Sequence, residues 1–334
     1  MTVDNKQYLP APSNTIKGQL SEFKAWAAYR HWHHRLSRLI QNQNLTVLEC
    51  GCGPGFLSKL IKKWFPSVNI YVSDYEHVLV KRASHELATD NVFQADAQRL
   101  PVKSEVIDIL VSFHMIEHVA EPQMFLLNAF RVLKPGGYLI YATPNPDGIP
   151  AKILKERWSG IRPDHISLLS PKEWCKITLA TGFKIIEHGT TALSGIPMFQ
   201  KFPINIFNQG LLFIFGFFPW MKGEAYIGIF QKPYISKTED NLEQKFEKAL
   251  DESTFSISYI VCCPDTHQAL KIADLELINY VNQMIVDKQL YNQENNLVEF
   301  PFSGALIRTD GKVLYPVIDK IPILIPEESI VWNK

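Results

Sequence analysis

What is scarce in this 334-residue chain narrows the field first. Cysteine occurs five times, at Cys50, Cys52, Cys175, Cys262 and Cys263. An odd, scattered set makes no disulfide framework, so a reducing, cytoplasmic location is expected. Charge of one sign is missing: 34 basic and 34 acidic residues cancel. That disfavours a broad nucleic-acid surface, although a local patch fits within a neutral total. The N-terminal residues carry Pro10 and Pro12 among polar neighbours and no apolar leader core, so no secretory signal is expected. Long apolar runs are missing too. The most apolar stretch, 202–220, has an uninterrupted core only from Leu211 to Phe218, far short of the ~20 residues that span a membrane. Two readings remain for it: a helix packed on a sheet, or a lid over an apolar substrate with peripheral contact to a membrane surface.

What is present divides the chain into four. Residues 1–44 read as a loose tail followed by a helix, with Leu20, Phe23, Trp26, Trp32, Leu36 and Leu39 at helical spacing. Residues 45–232 alternate strand and helix patterns: strands at Leu45–Cys50, Asn69–Ser73, Val92–Gln94, Ile107–Phe113, Tyr138–Ala142 and Phe183–Glu187, helices between them. Short turns and this alternation predict a parallel sheet covered on both faces. Residues 233–254 are charged and read as a linker; residues 255–334 regain apolar patterning and have the size of a small separate domain.

The chemistry starts at Val47-Leu48-Glu49-Cys50-Gly51-Cys52-Gly53-Pro54-Gly55-Phe56. A strand enters a glycine-rich turn and leaves as a helix, which brings backbone close to a ligand and aims free N–H groups at its polar atoms. Phe56 stands where a dinucleotide fingerprint has its third glycine, and no Lys-Ser/Thr follows to cradle phosphate. Asp74 closes the second strand roughly twenty residues after Gly55, the spacing at which a carboxylate reaches ribose hydroxyls. Asp96 follows the third strand in Gln94-Ala95-Asp96-Ala97.

With these pieces, residues 45–232 resemble the class I methyltransferases that use S-adenosylmethionine. Ile116-Glu117-His118-Val119, Arg131-Val132-Leu133-Lys134-Pro135-Gly136-Gly137 and Pro163-Asp164-His165-Ile166 complete the likeness. It implies a Rossmann-like α/β fold with a seven-stranded sheet whose last strand, near Glu224–Phe230, is antiparallel. It also implies S-adenosylmethionine as cofactor, with Glu49 and Gly51 at its methionine end, Asp74 at the ribose and Asp96 at the adenine. Gly53, Gly55, Ala97 and Ser112 are expected alongside them.

A sulfonium methyl donor is already activated, so the protein mainly holds nucleophile, carbon and sulfur in line. A base matters only where the nucleophile must lose a proton. His114, just past the fourth strand, and His165 are the candidates; Glu117 and His118 are expected to cap and pack. The run His114-Met115-Ile116-Glu117-His118 is similar to ubiquinone-pathway O-methyltransferases, some of which use a divalent cation, but His114 stands where their acid is, so no metal is expected. After the fourth strand stands Ser112-Phe113-His114-Met115, not the Asn/Asp-Pro-Pro-Tyr/Phe of enzymes that methylate amide or exocyclic amine nitrogen.

Residues 257–326 resemble the small activator subunits that partner translation-related methyltransferases. The likeness rests on Val261-Cys262-Cys263-Pro264-Asp265-Thr266, Gly304-Ala305-Leu306-Ile307 and the run Leu314–Leu324. Many of those subunits hold zinc between two Cys-x-x-Cys pairs; no cysteine follows Cys263 here, so this α+β domain is expected to hold by packing, as an activator fused in cis. Three functions follow: O-methylation of a small or lipid-like apolar acceptor, methylation of tRNA or a translation factor, or a non-catalytic scaffold that keeps the cofactor fold.

Overall fold

The structure, a computed structural model, describes residues 32–40, 44–191, 221–234, 257 and 260–332. The apolar stretch 202–220, the part of the expected N-terminal helix before Trp32 and nearly all of the expected linker lie outside them.

The alternation read from the sequence becomes strands β1 (Thr46–Cys50), β2 (Asn69–Asp74), β3 (Val92–Ala95), β4 (Ile107–Phe113), β5 (Leu133–Pro144), β6 (Lys184–Thr190) and β7 (Ala225–Gln231). The helices are α1 (Trp32–Leu39), α2 (Phe56–Trp64), α3 (His77–Leu87), α4 (Pro122–Val132), α5 (Ile149–Leu154) and α6 (Pro171–Ala180). Strands β1 to β5 run parallel, and β7 lies antiparallel between β5 and β6. Helix α6 starts as its sequence dictates: Ser170 accepts from the Glu173 amide while Glu173 reaches back to Ser170, with Pro171 at the first turn.

Adjacent residues on one strand serve opposite layers, because strand side chains alternate. Val47, Ile109 and Ile140 face a core with Trp32, Leu57, Ile61 and Val80 from α1, α2 and α3. Leu48, Leu110 and Tyr141 face a second core with Phe125, Leu126, Ala129 and Trp174 from α4 and α6. The expected Lys134-Pro135-Gly136-Gly137 turn is instead an irregularity inside β5: Ile107 pairs with Leu133 and Ile109 with Tyr138, so these four residues stand opposite Asp108 alone and three of them are extra to the ladder.

The expectation of a seven-stranded sheet needs correcting. Beyond β3 the sheet continues through β11 (Ile321–Leu324), β10 (Val313–Ile318), β9 (Gly304–Arg308) and β8 (Leu270–Ile272), with β12 (Ile330–Val331) beside β10, twelve strands in all. The joint is parallel, Ile323 against Gln94 and Leu324 against Ala95. An edge strand with unpaired N–H and C=O groups is a template for another strand, and here the same chain supplies it. C-terminal residues also enter both main cores, Ile321 and Ile323 on one face, Val261, Tyr315 and Leu324 on the other. A third cluster around Val281, Leu290, Phe302 and Leu314 packs α7 (Leu275–Val286) on the C-terminal strands. Cys262 and Cys263 are buried thiols, with Cys263 Sγ 3.1 Å from the Tyr315 hydroxyl. No helix among the described residues is long and apolar enough to cross a membrane.

Candidate active site

Strand β1 lies between β4 and β2, where the strand order reverses; the ends of parallel strands open a crevice at such a point. A cavity of about 920 Å³ sits there. The glycine turn forms one wall. Gly51, Gly53 and Gly55 all have positive φ (75°, 52° and 82°), conformations that cost other residues energy. A Cβ on Gly51 would collide with the Met115 side chain, so the close approach of this turn to the loop after β4 requires glycine. The turn is pinned across the sheet, since the Gly51 and Cys52 amides both donate to the Ser73 carbonyl, at 2.9 and 3.0 Å.

Three carboxylates line this end. Asp74 accepts from the Gly53 amide at 2.8 Å and the Glu76 amide at 3.0 Å, and burial holds its pKa above the usual carboxylate range. Glu49 accepts from the Ser58 amide at 3.0 Å and from the Ser58 hydroxyl. Burial pushes its carboxyl up to about 8, with Asp74 adding repulsion. Asp96 caps the turn after β3 by accepting from the Gln98 amide at 2.8 Å. These groups fit S-adenosylmethionine: two acids at adjacent strand ends suit its hydroxyls and amine, and a buried carboxyl suits its cationic amino group. Phe56, Leu57, Tyr75 and Leu79 add apolar and aromatic surface.

The other end opens toward a smaller cavity of about 300 Å³, lined by His114, Glu117, His118, Arg162, His165 and Glu224 among others. His114 (φ 54°) follows β4 directly, held by its amide on the Ala142 carbonyl at 2.8 Å. Its Nδ1 lies 3.5 Å from Glu117 Oε1. Burial opposes charge on both groups, but each favours the charged form of the other, so the His114 pKa is raised and that of Glu117 lowered. Glu117 is fully buried and accepts from the Thr143 hydroxyl at 3.1 Å. The His118 and His165 rings meet edge to face, centroids 4.8 Å apart.

Of the eight residues expected at the cofactor, six line the large cavity: Glu49, Gly51, Gly53, Asp74, Asp96 and Ala97. Gly55 does not; it serves as the N-cap of α2. Ser112 does not either. It lies wholly buried in β4 with no partner for its hydroxyl, because strand alternation turns it away from the cleft that Phe113 faces. His114 borders both cavities, whereas His165 borders the smaller one alone. The sequence reading missed Gln98, Tyr75, Met115 and Glu224 as lining residues, and the partnership of Glu117 with His114. Glu117 carried one signal, the i, i+3 spacing from His114.

The profile of the methyltransferase domain family matches residues 22–188. A probable S-adenosylmethionine-dependent methyltransferase of Mycolicibacterium smegmatis is 27% identical over 171 residues, covering 51% of this chain and 63% of that protein. A malonyl-[acyl-carrier protein] O-methyltransferase of Enterobacter lignolyticus is 27% identical over 126 residues, 38% of this chain and 49% of that one. The chain thus spans less than two thirds of the length of such curated relatives. Among solved structures, a SAM-dependent methyltransferase from Archaeoglobus fulgidus aligns with 64% of this chain and 99% of its own, at 21% identity and a TM-score of 0.44.

Proposed function

The chain belongs to the methyltransferase domain family, and from that premise we propose that it methylates an oxygen of a small acceptor, using S-adenosylmethionine. When bound, the cofactor supplies a methyl group on a positively charged sulfur. The chain's own residues then have three tasks. Glu49, Asp74, Asp96 and the glycine turn hold the donor at the first cavity. Arg162, His165 and Glu224 shape the second cavity around the acceptor. His114, at the junction of the two, takes the acceptor's proton on Nε2 while Nδ1 faces Glu117. The observation that carries the reading is this junction: of the two histidines that border both cavities, His114 and His118, His114 is the one oriented by a buried carboxylate. Oxygen nucleophiles need such a base where they carry a proton near neutral pH.

The malonyl-[acyl-carrier protein] O-methyltransferases among the relatives support transfer to oxygen; a carboxylate acceptor carries no proton near neutral pH, and His114 would then position it, whereas a hydroxyl acceptor uses His114 as base. The cavity volume of about 300 Å³ supports a small group at the reacting end, whatever extends from it. We further assign the C-terminal unit the role of an activator fused in cis, on the support of its β11–β3 ladder, which braces the strand that leads into Asp96.

Calorimetric titration with S-adenosylmethionine and S-adenosylhomocysteine tests the premise, beside Asp74→Ala. The wild type is expected to bind at micromolar Kd and the variant about 100-fold more weakly, the worth of hydrogen bonds to a charged group. Transfer of labelled methyl is then screened over carboxylates, phenols and quinols, with tRNA as the contrasting acceptor. No cofactor binding by the wild type leaves the non-catalytic scaffold standing; methyl incorporated into tRNA alone overturns the small-acceptor reading.

A further inference from the structure

Among the described residues, Glu117, His118 and His165 bring three donor atoms within 4.8 Å of one another. We propose that these three residues bind a divalent transition-metal cation at the wall of the acceptor cavity. As far as the cation holds the acceptor oxygen, the proposal rests on the O-methylation reading above; cation binding itself stands apart from it.

Three observations converge. First, both imidazoles are fixed in one tautomer. His118 Nδ1 lies 2.9 Å from the Asp164 carbonyl oxygen, and His165 Nδ1 lies 2.8 Å from that of Gly160. A carbonyl only accepts, so each Nδ1 carries the proton and each Nε2 keeps a lone pair. Metal-binding histidines are oriented in this way, one nitrogen donating to a carbonyl or carboxylate and the other free to ligate. Second, Glu117 is fully buried; Oε2 is held by Thr143, while Oε1 makes no hydrogen bond and has His114 Nδ1 beside it at 3.5 Å. A buried carboxylate oxygen held by one long contact is costly, and a cation offsets that cost. Third, the spacing is near a coordination shell. Ligands at roughly 2.0–2.2 Å from one ion stand about 3–3.5 Å apart, and the three donor atoms already lie within 4.8 Å of one another.

The donor set also restricts the ion. Two imidazoles and one carboxylate suit zinc, manganese, cobalt or ferrous iron, and suit magnesium or calcium poorly. Three protein ligands leave a position open toward the cavity, as in sites where the metal polarises a bound oxygen. That position faces the space His114 shares, so the coordinated acceptor oxygen loses its proton to His114. The oxygen then forms its bond to the methyl carbon as the carbon–sulfur bond breaks and leaves its electron pair on sulfur. The expectation that no metal binds here rested on His114 replacing an acid. The folded chain gathers the ligands without it, by bringing the loop before α6 against the turn after β4.

The test uses full-length, tag-free protein dialysed against chelator and titrated with cobalt(II), without cofactor or acceptor. One equivalent is expected to bind, with visible d–d absorption. His118→Ala and His165→Ala each weaken binding tenfold or more, the scale on which even outer partners of metal ligands act. Glu117→Gln does the same while leaving side-chain volume unchanged, and His188→Ala, a histidine on β6, leaves binding intact. Absence of stoichiometric binding, or binding indifferent to His118 and His165, overturns the proposal. Titration of the same samples with S-adenosylmethionine separates the two ideas. Cofactor binding without cobalt binding removes the metal and keeps the methyltransferase; cobalt binding without cofactor does the reverse.

Discussion

The two ends of the cleft are built on different plans. The cofactor end is local: Glu49, Gly51 and Gly53 belong to one strand–turn–helix unit, and Asp74 and Asp96 each end the next strand in order. Its contacts are short in sequence, Glu49 to Ser58 and Gly53 to Asp74. The end proposed for the acceptor is assembled across the chain, from the turn after β4, the loop before α6 and Glu224 just before β7. The first can be read along the chain because its spacing is the spacing of a βα unit. The second appears only when β5 and β7 close the sheet and bring the loop before α6 beside His118. The expected cofactor wall is thus written into one supersecondary unit and its two neighbouring strand ends, while the proposed acceptor wall depends on distant loops.

The sharpest way to break this division is to remove His114. With His114→Ala, kcat is expected to fall by about 10²–10⁴, the usual worth of a positioned base. The Kd for S-adenosylmethionine stays within about twofold, because every charged group at the cofactor end is untouched. Stopped-assay kinetics and calorimetry on one preparation decide it. A loss of cofactor affinity equal to the loss of kcat would merge the two ends into one site.

Glu49 gives a smaller effect of known sign. Its carboxyl ionises near 4.5 in the unfolded chain and at about 8 in the folded one. Between those values the folded protein holds a proton that the unfolded chain has released, so stability of the cofactor-free protein falls as pH rises through the window. Glu49→Gln removes this dependence. The variant is expected to melt higher than wild type at about pH 8 and above, with the gap closing toward about pH 5, as followed by thermal melts across that range. Added S-adenosylmethionine reverses the order, since the cationic amino group of the cofactor favours the ionised carboxylate that glutamine cannot supply, weakening binding roughly tenfold. A gap that widens toward acid would mean that Glu49 is already charged in the free protein.

How far the sequence carried follows the same line. The strands from β1 to β7, the antiparallel last strand and most of the cofactor wall were legible, because period-2 and period-3.6 patterns and the glycine spacing are local signals. Ser112 was misplaced by one position: a reading that knows only that a residue precedes the end of a strand does not fix which face it takes, and Phe113 and His114 have the cleft. The sheet's extension was not legible at all. Nothing in Ile321-Pro322-Ile323-Leu324 marks it for β3 rather than for a sheet of its own; the pairing is decided by an open edge more than two hundred residues earlier.

That extension touches the cofactor end through a single side chain. Arg99, three residues past Asp96, bonds Glu327 and stands 3.7 Å from Asp96 and 3.9 Å from Asp265. It therefore ties the expected adenine contact to two acids of the C-terminal unit. The side chain is about 39% exposed, and ion pairs of that exposure are worth little, about 0.2–1 kcal/mol. Arg99→Ala is accordingly expected to weaken cofactor binding by no more than about fivefold, with kcat at saturating cofactor unchanged, read by calorimetry at low and high salt. A loss near 100-fold would show that the C-terminal unit sets the adenine pocket through this ion pair. The modest loss expected leaves the β11–β3 ladder and the shared cores as what joins the two parts.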